Sequence, residues 1–118
     1  MSDLSALLTS WRRQLHQHPE TAFEETWTAD FVAERLEEMG YTVCRGVGGT
    51  GVVAELTVGN GKKTVGLRAD MDAIPLEERG ICPHRSQIPG KMHGCGHDGH
   101  TATLLGAAKL LVEEKGFC

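Results

Sequence analysis

The chain has 118 residues, 40% of them hydrophobic and 24% charged, which suits one small globular domain and leaves no room for two cores. Twelve basic against sixteen acidic residues give a net charge of -4, arguing against a nucleic-acid binder and against a basic membrane-surface protein. No apolar run is long enough for a bilayer span, and Met1-Ser2-Asp3 lacks the basic and apolar regions of a signal peptide.

The first predicted element is a helix. Leu4, Leu7, Leu8, Trp11 and Leu15 form one apolar stripe at helical spacing. It must stop before Pro19, because the residue ahead of a proline is pushed out of the α region. A second helix is predicted from Glu24 to Met39, burying Trp27, Phe31, Val32, Leu36 and Met39, with Gly40 as its C-terminal cap. Strand signals follow at Tyr41 to Arg45, Val52 to Val58 and Thr64 to Asp70, with glycine-rich turns at residues 46–51 and 59–61. Residues 71–100 show no clear periodicity, and a loop that long in a compact chain is usually functional or disordered. A last helix is predicted from Asp98–Thr101 to Lys115, apolar around most of its circumference and ended by Gly116. This order predicts an α/β fold in which helices cover a sheet. Gly116-Phe117-Cys118 reads as the start of a connection to a further strand.

The four cysteines, Cys44, Cys82, Cys95 and Cys118, include no C-x-x-C pair. Without an export signal, reduced thiols and a cytoplasmic location are expected. Cys44 is expected to be a small buried residue and Cys82 a loop residue.

The chemistry concentrates in His93-Gly94-Cys95-Gly96-His97-Asp98-Gly99-His100, which holds three of the six histidines. Cys95 and His97 are two apart, so in extended backbone their side chains share one side and can converge on one ion. A thiolate with an imidazole suits zinc or a similar divalent transition metal. Asp98 can orient a liganding imidazole or cap the helix that follows. The bland alternative is a glycine-rich turn with incidental histidines. A second candidate group is Arg68-Ala69-Asp70-Met71-Asp72, at the end of a predicted central strand, where open α/β sheets gather their sites. Asp70 and Asp72 can bind a metal, orient a metal-bound histidine or perturb each other's ionisation; alone, they would also fit a solvated turn. His16 and His18 lie at the end of the first helix, where the macrodipole favours histidine, and read as structural. His84 has no evident partner.

Three stretches together resemble the N-terminal part of the metal-dependent amidohydrolases of the aminoacylase and carboxypeptidase superfamily. They are Arg12-Arg13-x-Leu15-His16-x-x-Pro19-Glu20, Gly66 to Pro75, and Pro89 to Ala102. The nearest branch is that of hippurate hydrolase, N-acyl-amino-acid amidohydrolase and indole-acetyl-amino-acid hydrolase. The resemblance implies a site for two divalent metals, zinc or manganese, with Cys95 and His97 as ligands. It implies a catalytic role for Asp70 and an orienting or tuning role for Asp72. In that chemistry the metals polarise an amide carbonyl and acidify a bridging water, and a carboxylate base moves the proton to the leaving amine.

The resemblance also implies a partial three-layer sandwich, a mostly parallel or mixed sheet with covering helices, incomplete relative to the family's catalytic domain. Residues 1–118 would be its N-terminal fragment, without the dimerisation domain and the C-terminal half. The family's base glutamate and further ligands lie beyond residue 118, so the fragment itself is expected to be inactive. Residues 80–88 depart from the family's usual pattern. The implied partner is a small N-acyl amino acid or similar amide, with no nucleic acid and no membrane; unpaired apolar surface would favour a homo-oligomer. Two other readings stand beside this one. Cys95 could be a nucleophile activated by a nearby histidine, or the chain could be a non-enzymatic metal-binding or interaction module.

Overall fold

The computed structural model describes residues 2–115. In chain order the elements are α1 (Ser2–Gln17), α2 (Thr26–Glu38), β1 (Thr42–Val47), β2 (Gly51–Glu55) and α3 (His97–Glu114).

The apolar stripe of α1 points inward, with Trp11 and Leu15 buried and Leu7 and Leu8 packed beside them. The helix ends at Gln17, just ahead of buried Pro19, as the proline rule requires. α2 begins two residues later than expected because its cap comes from outside the helix. The Glu20 carboxylate accepts from the Trp27 and Thr28 amides at 3.0 and 2.7 Å and from Thr28 Oγ1 at 2.7 Å. That satisfies donors which a helix start leaves unpaired. At the other end Gly40 takes φ 94°, the Gly40 amide bonds Glu37 O and the Tyr41 amide bonds Leu36 O. This is a Schellman closure, and it needs a residue at ease in the left-handed region.

β1 and β2 pair antiparallel from Thr42↔Glu55 to Val47↔Gly51, with an irregularity at Gly46, φ 73°. The core joins Trp11, Leu15, Phe31, Val32, Ala102 and Leu105, with Trp27, Leu36, Met39, Val52 and Met71 against it. It therefore sits between α1, α2 and the inner face of α3. Gly106 brings α1 and α3 close: a Cβ there would stand 2.7 Å from a Leu8 methyl.

Several expectations need correction. Among the described residues the sheet is two-stranded and antiparallel; it is not itself the mostly parallel or mixed sheet of a three-layer sandwich. Residues 64–70 form no strand, and Asp70 does not end one. A strand exists only by bonding to a neighbour, and no described residue pairs with this segment in a strand ladder. α3 is buried on one face only, at Ala102, Leu105 and Ala108, while Leu104, Leu110, Leu111 and Val112 are half-exposed. The reason is that α1, and to a smaller extent α2, are its partners among the described elements. Cys44 is exposed on β1, an edge of the small sheet, and not buried. Lys115, φ 46°, occupies the left-handed position after α3; Gly116 and the two residues after it lie outside the described residues.

The long stretch between β2 and α3 is pinned at a few points. Ala73 donates to Glu20 O at 2.8 Å, and Ile74 exchanges bonds with Met92 at 3.0 and 3.1 Å. These bridges carry Asp70 and Asp72 past the start of α3.

Candidate metal centre

Gly96, φ 81°, turns the chain into α3, so His97 becomes that helix's first residue. A left-handed turn there suits glycine and strains any other residue. His97 Nδ1 lies 3.0 Å from both Asp72 Oδ1 and Asp72 O. Both partners are acceptors, so Nδ1 carries a proton, and in the neutral ring the lone pair is then on Nε2. Nε2 faces Asp70, whose Oδ2 is 3.9 Å away. Asp70 is steadied by Arg68 at 2.6 Å, and its carbonyl accepts from Thr101 Oγ1 at 3.0 Å, one turn along α3. A carboxylate on one ring nitrogen with the other left open is the arrangement by which proteins present histidine to a metal.

The structure thus brings Asp70, Asp72 and His97 together. Cys95 is a free, exposed thiol two residues away, and no hydrogen bond ties it to His97 or to another histidine among the described residues. As a donor set, an open imidazole nitrogen and a neighbouring thiol fit zinc or a similar ion. The count falls short: among the described residues no group of three or more His, Cys, Asp and Glu side chains is placed to hold a metal.

Behind the candidate ligands lies a buried polar network. His16 Nδ1 is 2.9 Å from Asp98 Oδ2, and His16 Nε2 is 3.0 Å from Glu78 Oε1. Arg12 reaches the same Asp98 oxygen at 3.1 Å and His84 Nε2 at 3.4 Å. Glu78 also accepts from the Ser86 amide at 2.7 Å. Burial raises the Glu78 carboxyl, but the Ser86 amide and His16 outweigh it and leave it below the usual carboxylate range. His93 is buried with neither ring nitrogen bonded, and burial pushes it below the usual histidine value against the pull of Asp98.

This network corrects two sequence readings. His16 is more than a residue suited to a helix end, and His84 does have a partner. One signal was available. Arg12 and His16 are four apart on α1, hence on one face beside the apolar stripe, and two such cationic groups at a buried face call for acidic partners. Nothing in the aperiodic stretch around Glu78 marks it as that partner.

The model of peptidase family M20/M25/M40 matches residues 66–117, which include all four candidate site residues. Over this stretch the chain is similar to the M20 peptidase family. The likeness to M20 relatives runs further. The chain is 49% identical to the hippurate hydrolase of Campylobacter jejuni across 95% of its own length and 29% of the relative's. It is 48% identical to the N-acyl-L-amino acid amidohydrolase of Geobacillus stearothermophilus across 88% of its length and 28% of the relative's. Its fold matches the crystal structure of the Bacillus subtilis YXEP protein, a dinuclear metal binding peptidase of the M20 family, with TM-score 0.90 and 37% identity. That match covers 95% of this chain and 32% of the other. The chain therefore spans less than a third of these relatives' length.

Proposed function

We propose that this chain contributes the Cys95–His97 part of a two-metal amidohydrolase site that cleaves N-acyl amino acids or similar amides. The observation that carries the reading is the His97 ring, held at Nδ1 by Asp72 and open at Nε2 toward Asp70. Cys95 and His97 would hold the metal, zinc or manganese. When bound, such an ion polarises an amide carbonyl and makes a nucleophile of water at neutral pH. Asp72 keeps the imidazole in its liganding tautomer. Asp70, beside Nε2, would supply negative charge next to the ion and a catalytic carboxylate.

The general base would have to come from outside the described residues. Glu20 caps α2, Glu78 is held by His16 and Ser86, and Glu25 accepts from Thr50. Glu113 and Glu114 end α3, about 25 Å from His97 at 1.5 Å per residue. We therefore expect the 118-residue chain alone to bind zinc or manganese weakly and to leave hippurate intact. In the longer protein, residues 64–70 would take a strand position in a larger sheet of the three-layer kind; exposed Val65 and Leu67 support that.

The experiment measures amino acid released from hippurate, with and without added zinc or manganese, by the chain and by the full-length protein. The reading expects release by the longer protein alone, lost on Cys95→Ala and on chelation. Turnover by the chain itself of roughly 1 s⁻¹ would mean that it carries a complete site. Activity that survives chelation but not thiol alkylation would favour Cys95 as a nucleophile instead.

A further inference from the structure

We propose that His16 is a positioning residue for His97: a buried clamp that joins α1 to the first turn of α3 through Asp98 and to the 78–86 loop through Glu78. The inference rests on the reading of His97 as a metal ligand.

Both ring nitrogens of His16 face carboxylate oxygens, at 2.9 and 3.0 Å. A ring nitrogen bonds a carboxylate by donating, so both contacts are made at once only with a proton on each nitrogen. His16 is buried, as are Asp98 and Glu78. The other ionisable groups about it are Arg12, bonded to the same Asp98 oxygen, and the rings of His84 and His93, at 5.8 and 6.5 Å. A buried network of this kind is stiff, because any displacement leaves a buried polar group unpaired.

The network's position gives it a task. Asp98 follows His97 directly, and its second oxygen accepts from the Gly99 amide at 2.9 Å. Asp98 is therefore bonded three ways, to α1 twice and to its own helix once. The first turn of α3 cannot rotate without breaking those bonds. Asp72 holds the His97 ring itself, at Nδ1. The imidazole is thus fixed between two anchors, and His16 is the buried half of one. His16 bonds to Asp98 and Glu78 and not to Cys95 or His97, so it acts through Asp98.

The test uses the isotope-labelled 118-residue chain and reads the ring nitrogens of its histidines by NMR, followed by titration with cobalt(II) as the probe. In the wild-type chain His97 should show one tautomer, protonated at Nδ1, and cobalt should give a thiolate-to-metal absorption band that Cys95→Ala removes. His16→Gln can donate to one carboxylate only. It should leave a folded chain in which His97 averages between tautomers and binds cobalt about 10- to 100-fold more weakly. A folded His16→Gln chain with an unchanged His97 tautomer and cobalt affinity within about twofold of wild type would overturn the clamp. If that variant does not fold, Arg12→Met, which removes the second donor to Asp98, takes its place: a smaller shift of both readouts in the same direction supports the clamp, and no shift overturns it. Absence of the thiolate band in the wild-type chain would overturn the metal reading alone, since the tautomer comparison tests the clamp without a metal.

Discussion

Glu20 does two jobs at one position. Its backbone carbonyl accepts from Ala73, and its carboxylate caps α2. Burial raises this carboxyl, but the hydroxyl and amide of Thr28, the Trp27 amide and the Thr26 hydroxyl outweigh burial and hold it below 4.5. The folded chain therefore binds this proton less readily than the unfolded chain. The stabilisation is complete above the unfolded value, near 4.5, and is lost as pH falls through the lower folded value. Glu20→Ala should cost about 1–2 kcal/mol at pH 7, as the loss of a helix cap does. In urea unfolding at pH 7, 5 and 3 the gap from wild type should narrow only at the acid end. At the site, Asp72→Ala should free the His97 ring and weaken cobalt binding about 10- to 100-fold, as losing an orienting carboxylate does. Gly96→Ala meets no neighbouring atom, but φ is 81°. Its cost is the left-handed conformation alone, about 1–2 kcal/mol, and thermal melts should show it.

At the scale of elements, stability lies where α1 crosses α3. Leu15 is 1% exposed in the core cluster, so Leu15→Ala should cost about 2–5 kcal/mol, a value that equilibrium unfolding measures. The helices were legible because each is written twice, in its apolar period and in its stop: Pro19 after α1, Gly40 after α2. The hairpin was legible because β-rich residues flank the glycines of 46–51. The strand at 64–70 was misread for a physical reason. Its alternating Val65, Leu67 and Ala69 report a preference, and a preference becomes a strand only beside a partner. The site followed the same divide. Cys95, His97, Asp70 and Asp72 were visible because their spacing is local. The Asp72–His97 bond joins residues 25 apart, and the His16–Glu78 bond joins residues 62 apart; such pairs exist only once the chain has folded.

Across the whole molecule, the chain is built in two ways. α1, α2, α3 and the hairpin contribute to one core, whereas most of the stretch from 56 to 72 is exposed and has few backbone bonds of its own. Val65 is 82% exposed and Leu67 55% exposed, large apolar side chains on an extended segment with unpaired amides. Such a segment opens at almost no cost in free energy, because little apolar contact is lost when it moves. Hydrogen exchange should therefore show the amides of residues 64–70 exchanging near the unfolded rate, while those of α1 and the inner turns of α3 are protected by several orders of magnitude. The same exposed edge should promote association, as unpaired strand edges do. In size-exclusion chromatography the chain should elute increasingly as oligomers with rising concentration, and Val65→Lys with Leu67→Lys should restore the monomer without changing the thermal midpoint. In any longer protein whose further chain covered this segment, the same amides should become protected. Protection of residues 64–70 equal to that of α1 in the isolated chain would mean that the segment is already paired, and that the 118 residues need no further strand to complete their sheet.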